Sequence, residues 1–286
     1  MTDSTMLASD STTTNRLSAR HNFLFHHLLP LVSYLVVTII YTWPVALRFA
    51  TETPAEVHLM PDRDLNLWNL WWFRYSLLNL HHNPFYNPLI YWPDYQSSGV
   101  PLWFHTLQPF NMTLGFFLQQ FFNLVTTYNT IIFFAFILSG YGAYLLVSYV
   151  SGNRIAGFVG GLAFACSPYH LDVLRGWSNL FSMEFIPLYL YTLLRLRDAV
   201  EEAGKPVAGK TIGWIVAATV LLSFNNLIDW YLLIDALLLT ATLLLAYLWW
   251  ARRKGRAWLL AQVGAVAAVG LLWALLCSPI IIPTLG

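Results

Sequence analysis

The stretch Trp230–Trp250, WYLLIDALLLTATLLLAYLWW, followed at once by Ala251-Arg-Arg-Lys-Gly-Arg256, decides the class of fold. A single acid, Asp235, interrupts a run long enough to cross the ~30 Å hydrocarbon core, which takes roughly 20 apolar residues. The basic cluster behind it marks the end that stays on the cytoplasmic side, because Lys and Arg in short loops orient membrane helices. The same signature recurs along the chain. Apolar runs at Phe23–Phe49, Thr127–Val150, Ile155–Ser167, Leu180–Leu196, Thr211–Phe224 and Trp258–Ile282 predict six further crossings. The fold class expected is therefore an all-α, polytopic membrane protein of about seven helices.

Composition agrees: 57% of residues are apolar and 10% charged, which few water-soluble folds of this length tolerate. A net charge of +1 offers no basic surplus for nucleic acid. Seven crossings with a cytoplasmic N-terminus put Arg16, Arg20, Arg154, Arg195, Arg197, Lys205, Lys210, Arg252, Arg253, Lys254 and Arg256 inside. Only Arg48, Arg63, Arg74 and Arg175 fall outside. Reading Pro109–Phe122 as a crossing would reverse this bias, so that segment is expected to lie in the interface. Residues 1–22 read as a polar, disordered cytoplasmic tail without the apolar core of a signal peptide, and 23–286 as one transmembrane module. With no organelle signal, the expected location is a bacterial cytoplasmic membrane.

The external loop 50–126 breaks the apolar pattern with aromatic residues, prolines and acids. Within it, Trp68, Trp71, Trp72, Tyr75 and Leu78 recur at helical spacing over Leu67–Leu80, as in an amphipathic interfacial helix. Asp64 is expected as its N-cap, accepting from the first free N–H groups. Asp62 is then available as a general base toward a hydroxyl or amide. The alternative reading, on a weakly specific spacing, is that the two acids together bind a divalent cation. Two further loops bring Tyr169, His170, Asp172, Arg175 and Trp177, and Asn225, Asn226 and Asp229, to the same face as His105. Arg175 reads either as a fork for a lipid phosphate or as an arginine snorkelling toward headgroups. Glu184, about one turn inside its helix, reads as an acid facing the bundle, with Arg175 a candidate partner. Cys166 and Cys277 read as packing residues, and no metal-ligand cluster is expected. Phe164-Ala-Cys-Ser-Pro168 and Leu276-Cys-Ser-Pro279 form a weak echo, each proline expected to close a helix.

The order of these features, from Leu28 to Gly286, resembles the C-type membrane glycosyltransferases, the group of the protein O-mannosyltransferases, the aminoarabinose lipid A transferases and the oligosaccharyltransferase catalytic subunits. The likeness rests on Asp62–Trp72, Asn83-Pro-Phe85, Tyr91-Trp-Pro93, Ser167-Pro-Tyr-His170 and Phe185-Ile-Pro-Leu188, in an uncharacterised bacterial branch. It implies a polyprenyl-phosphate-linked sugar donor, Asp62 as the base with Asp64 beside it, and Arg175 or His170 at the phosphate leaving group. Many such enzymes need no metal. Relatives usually continue past the point where this chain stops, which implies either a core module of a longer enzyme or the module kept for another purpose. The rival expectations are a non-catalytic accessory subunit of a larger membrane complex and, third, a transporter.

Overall fold

A computed structural model describes residues 24–54, 60–92, 97–203 and 209–285 of the chain. The expected tail 1–22 lies outside these, as does Asp94, a further acid of the loop 50–126.

The first helix opens with a π-helical turn at Leu24–Leu28 and continues as α1, Leu29–Tyr41. The loop segment follows, with α2 (Met60–Leu78), a hairpin of β1 (Tyr86–Trp92) and β2 (Ser97–Pro101), and α3 (Pro109–Leu118). Then come α4 (Leu124–Ser151), α5 (Arg154–Ala165), the short α6 (Pro168–Val173) and α7 (Ser178–Phe181), and α8 (Phe185–Ala203). Three long helices end the chain: α9 (Gly209–Ile228), α10 (Trp230–Lys254) and α11 (Arg256–Leu285).

Among the described residues five helices are long and apolar enough to cross a membrane: Leu24–Tyr41, Leu124–Ser151, Gly209–Ile228, Trp230–Lys254 and Arg256–Pro283. The other two expected crossings are helical but differ in kind. The helix α5 has 12 residues and so rises only about 18 Å. The second half of α8 carries Arg195, Arg197, Asp198, Glu201 and Glu202. At 10 residues α3 is too short to span, as its interfacial reading requires.

Local signals place the boundaries. Asn123 caps α4 by accepting from Thr126 N–H, and α4 stops at Gly152, whose φ of 65° suits glycine. Asn153 then caps α5, Ser167 caps α6 just ahead of Pro168, and Asp229 caps α10. Close approach of α5 to α4 depends on glycine: a methyl group at Gly157 would stand 2.9 Å from the Tyr144 carbonyl.

Two expectations are corrected here. Asp64 is not the N-cap of α2: the helix already runs from Met60, and Asp64 pairs with its neighbour Arg63 at 2.7 Å. Pro279 does not close a helix but lies inside α11 with Pro283. Apolar helices tolerate such prolines when neighbours satisfy the freed carbonyls. The described residues are otherwise consistent with an all-α membrane protein, and the loop segment adds one two-stranded hairpin. In the hairpin, β1 pairs antiparallel with β2, Tyr86 opposite Pro101 and Trp92 opposite Ser97, with a bulge between Asn87 and Tyr91. Pro88 in that bulge cannot donate to the ladder.

The interior divides into two main clusters. Leu70, Trp72, Leu107, Met112, Ile132, Phe136 and Phe181 join α2, α3, α4 and α7. Tyr189, Leu193, Leu222, Leu233 and Val269 join α8 to α11. Phe185, Ile228 and Leu232 form a third, smaller cluster, with Phe110 and Phe224 packed alongside.

Candidate functional site

The site is built on α2. Asn66 and Asn69, three apart and so on one face, are both buried. Asn66 donates to Gly176 O at 3.0 Å, and its Oδ1 accepts from Gln108 Nε2. Gln108, whose φ of 53° makes it a left-handed residue ahead of Pro109, also reaches Ser178 Oγ at 3.3 Å. Asn111 Nδ2 donates to Gln108 Oε1 at 2.9 Å and to Ser182 Oγ at 3.0 Å. A buried amide left without a partner costs a few kcal/mol, so this network fixes three segments against one another. They are α2, the entry of α3, and the turn from α6 to α7.

Asp62 lies one turn before Asn66, and the docking of that turn delivers Trp177 to it. Trp177 Nε1 donates to Asp62 Oδ2 at 2.6 Å. Two residues earlier, Arg175 lines an open cleft of about 630 Å³ between the end of α1 and α6, with Thr42, Trp43, Glu52, Thr53 and Leu174 among its walls. Its guanidinium stands 3.7 Å from Asp172, both side chains about half exposed. A pair so exposed contributes little to stability and yields readily to a stronger anion.

The other expected residues fall as follows. His105 Nε2 meets Asn69 Oδ1 at 2.8 Å, with its ring edge-on to Trp68; burial pushes its pKa below the ordinary histidine value. Tyr169 is exposed. His170 is fully buried, Nδ1 2.7 Å from Ala165 O and Nε2 2.9 Å from Phe181 O, with its ring stacked on Phe181. Burial lowers its pKa, against the two carbonyls, which favour the protonated ring. So placed, His170 holds the α6–α7 turn and is shielded from any ligand. Glu184 is fully buried and faces the bundle, yet neither carboxyl oxygen has a hydrogen-bond partner among the described residues. Arg175 is thus not its partner.

Three loops do converge. Asn179 Nδ2 donates to Asp229 Oδ2 at 2.8 Å, and His105, Asn226 and Asp229 line one crevice of about 330 Å³. Asp62 and Trp177 touch; Arg175 and Asp172 stand on the same turn; His105 joins them through Asn69 and α2. Asp64 is turned to Arg63, so the two loop acids have different partners. Among the described residues no three His, Cys, Asp or Glu side chains gather as a metal site. Sequence reasoning missed Asn66, Asn69, Gln108, Asn111, Ser178 and Ser182. The available signal was two asparagines at helical spacing inside an aromatic helix.

Known proteins do not decide the matter. No family model, no curated protein and no solved structure matches the chain. The reading of the site therefore rests on its own chemistry.

Proposed function

We propose that the chain is a C-type membrane glycosyltransferase or its core module, moving a sugar from a polyprenyl-phosphate-linked donor to an acceptor at the external membrane face. The observation that carries this reading is the hydrogen bond that holds Asp62 on Trp177, two residues along the chain from Arg175, which lines an open cleft. Asp62 takes the proton of the acceptor hydroxyl as its oxygen bonds to the anomeric carbon. The bond from that carbon to phosphate breaks, and the departing polyprenyl phosphate keeps the electron pair. Arg175, an always-charged fork, exchanges Asp172 for the developing phosphate charge. Trp177 and the amide network act by positioning. Asp64 stays beside Asp62 as a solvent-facing partner of Arg63. Metal is not required by this scheme.

In the bilayer, α5 continued by α6, and the segment Leu180–Leu196 that runs into α8, complete a seven-crossing path with the N-terminus cytoplasmic and loop 50–126 external, in a bacterial cytoplasmic membrane. The alternative is an accessory subunit of a larger complex. One experiment addresses both: membranes carrying wild-type, Asp62→Asn or Arg175→Ala chain are supplied with radiolabelled polyprenyl-phosphate sugars, and transfer to endogenous acceptor is followed. The proposal expects Asp62→Asn to abolish transfer with the thermal unfolding midpoint unchanged. Transfer untouched by either substitution sinks it, and a stable stoichiometric complex from gentle detergent then favours the accessory role.

A further inference from the structure

At the far end of α10 from Asp229, a helix of 25 residues away or about 37 Å, the turn into α11 opens a second cleft of about 350 Å³. Arg197, Glu201, Trp250, Arg253, Lys254 and Trp258 line it. We propose that this cleft binds the phosphate of an anionic glycerophospholipid, so that the inner end of the bundle carries a lipid site independent of the Asp62 chemistry.

The walls are already fixed. Arg197 sets its fork on Asp198 Oδ1, with Nη2 at 2.7 Å and Nε at 3.0 Å, and lies 5.7 Å over the Trp250 ring. Tyr149 Oη donates to the same carboxylate, and Gln262 Nε2 donates to Arg197 O at 3.1 Å. Glu201 uses both oxygens, one on Trp258 Nε1 at 2.9 Å and one on Lys254 Nζ at 3.2 Å. Both local carboxylates are thus matched, each to one cation. Arg253 is left over: it stacks 5.7 Å from Trp249 and has no carboxylate partner among the described residues. Arg252 and Arg256, exposed on the same turn, have none either.

Topology alone explains a basic turn, since Lys and Arg collect on one side of short loops. It does not explain a cleft whose floor is a rigid guanidinium and whose sides are indole rings. Trp249, Trp250 and Trp258 are the ring type that settles at headgroup depth, where an apolar body and a polar N–H both find partners. Surplus positive charge at that depth attracts anionic lipid, and basic pockets between membrane helices take phosphate headgroups. Arg253 supplies a fork for two phosphate oxygens, and Lys254 keeps ammonium protons beyond the one on Glu201. Acyl chains would run along the exposed apolar sides of α10 and α11, where Leu245, Leu248 and Leu260 face outward.

The test is native mass spectrometry of the full chain in mild detergent with equimolar phosphatidylglycerol and phosphatidylcholine. One phosphatidylglycerol should be retained preferentially, and Arg253→Ala and Lys254→Ala should each lower that preference about fivefold. Arg154→Ala, which removes a basic residue elsewhere, should leave it unchanged. Equal retention of the two lipids overturns the proposal. So does an equal loss with Arg154→Ala, because the attraction is then diffuse charge. Release of the lipid by millimolar inorganic phosphate assigns the cleft to a soluble anion and overturns the lipid source. Arg253 is exposed, so its truncation leaves the fold intact, and an unchanged unfolding midpoint checks this.

Discussion

Trp177 makes the hydrogen bond that aims Asp62, and its replacement separates aim from charge. Trp177→Phe keeps a ring against α2 but removes the N–H. Loss of a bond to a charged acceptor at a half-buried site should cost about 1 kcal/mol, read as a lowered unfolding midpoint in detergent. If Asp62 is the base, the rate of transfer should fall more than the affinity for acceptor, since positioning is what has been lost. His105 supplies a second prediction. Its folded pKa lies below the ordinary histidine value because burial penalises the imidazolium. As pH falls through about 6.5 the unfolded chain binds a proton that the folded chain still refuses. Stability should therefore decline from pH 7 toward the folded pKa, and be regained as pH rises. His170, shifted in the same direction, adds to the slope. His105→Gln should flatten the profile in part, and an unaltered slope would show that His105 is not the group responsible.

Among the elements, the contact of α4 with α5 has the least slack. With the Tyr144 carbonyl 2.9 Å from where a Cβ would stand at Gly157, Gly157→Val forces the helices apart. Such overpacking costs about 1–3 kcal/mol or more, and the α6 cap that follows α5 should loosen with it. Faster amide exchange over Pro168–Phe181 would report that loosening. The long helices of this element set were legible from hydropathy, because length and composition alone decide whether a segment can cross a membrane. The hairpin was not: Pro88 and Pro101 interrupt its alternation, and short strands in a loop have no periodic signature strong enough to outweigh them. The proline of α11 misled for the opposite reason, since in an apolar helix neighbours relieve what would end a soluble one. For the site, Asp62, Trp177 and Arg175 stood out by charge and aromaticity, whereas their positioning depends on Asn66, Gln108 and Ser178. Those are ordinary polar residues until the fold buries them together.

Across the whole molecule the two ends of the bundle differ in chemistry. Asp62, Asp172, Arg175 and Asp229 gather at one end through the contacts of α2, α6 and the α9–α10 turn. Arg197, Glu201, Arg253 and Lys254 gather at the other. Helix α10 alone separates the two by about 37 Å, close to the thickness of a bilayer with part of its headgroup zone. A chain embedded this way must expose the two ends to different compartments, whichever way it is inserted. The positive-inside rule predicts the Lys254 end, where the basic turns lie, to be the inner one. Replacing Cys166 and Cys277 by Ala and adding a single reporter makes the choice measurable. His82→Cys, in the exposed turn before the hairpin, should react with a membrane-impermeant maleimide in intact cells. Lys254→Cys should react only after the membrane is opened. Labelling in the reverse order would invert the molecule, placing Asp62 in the cytoplasm, and a sugar donor used at the external face would then be excluded. Labelling of both in intact cells would mean that α10 does not span, and the two-ended description would fall with it.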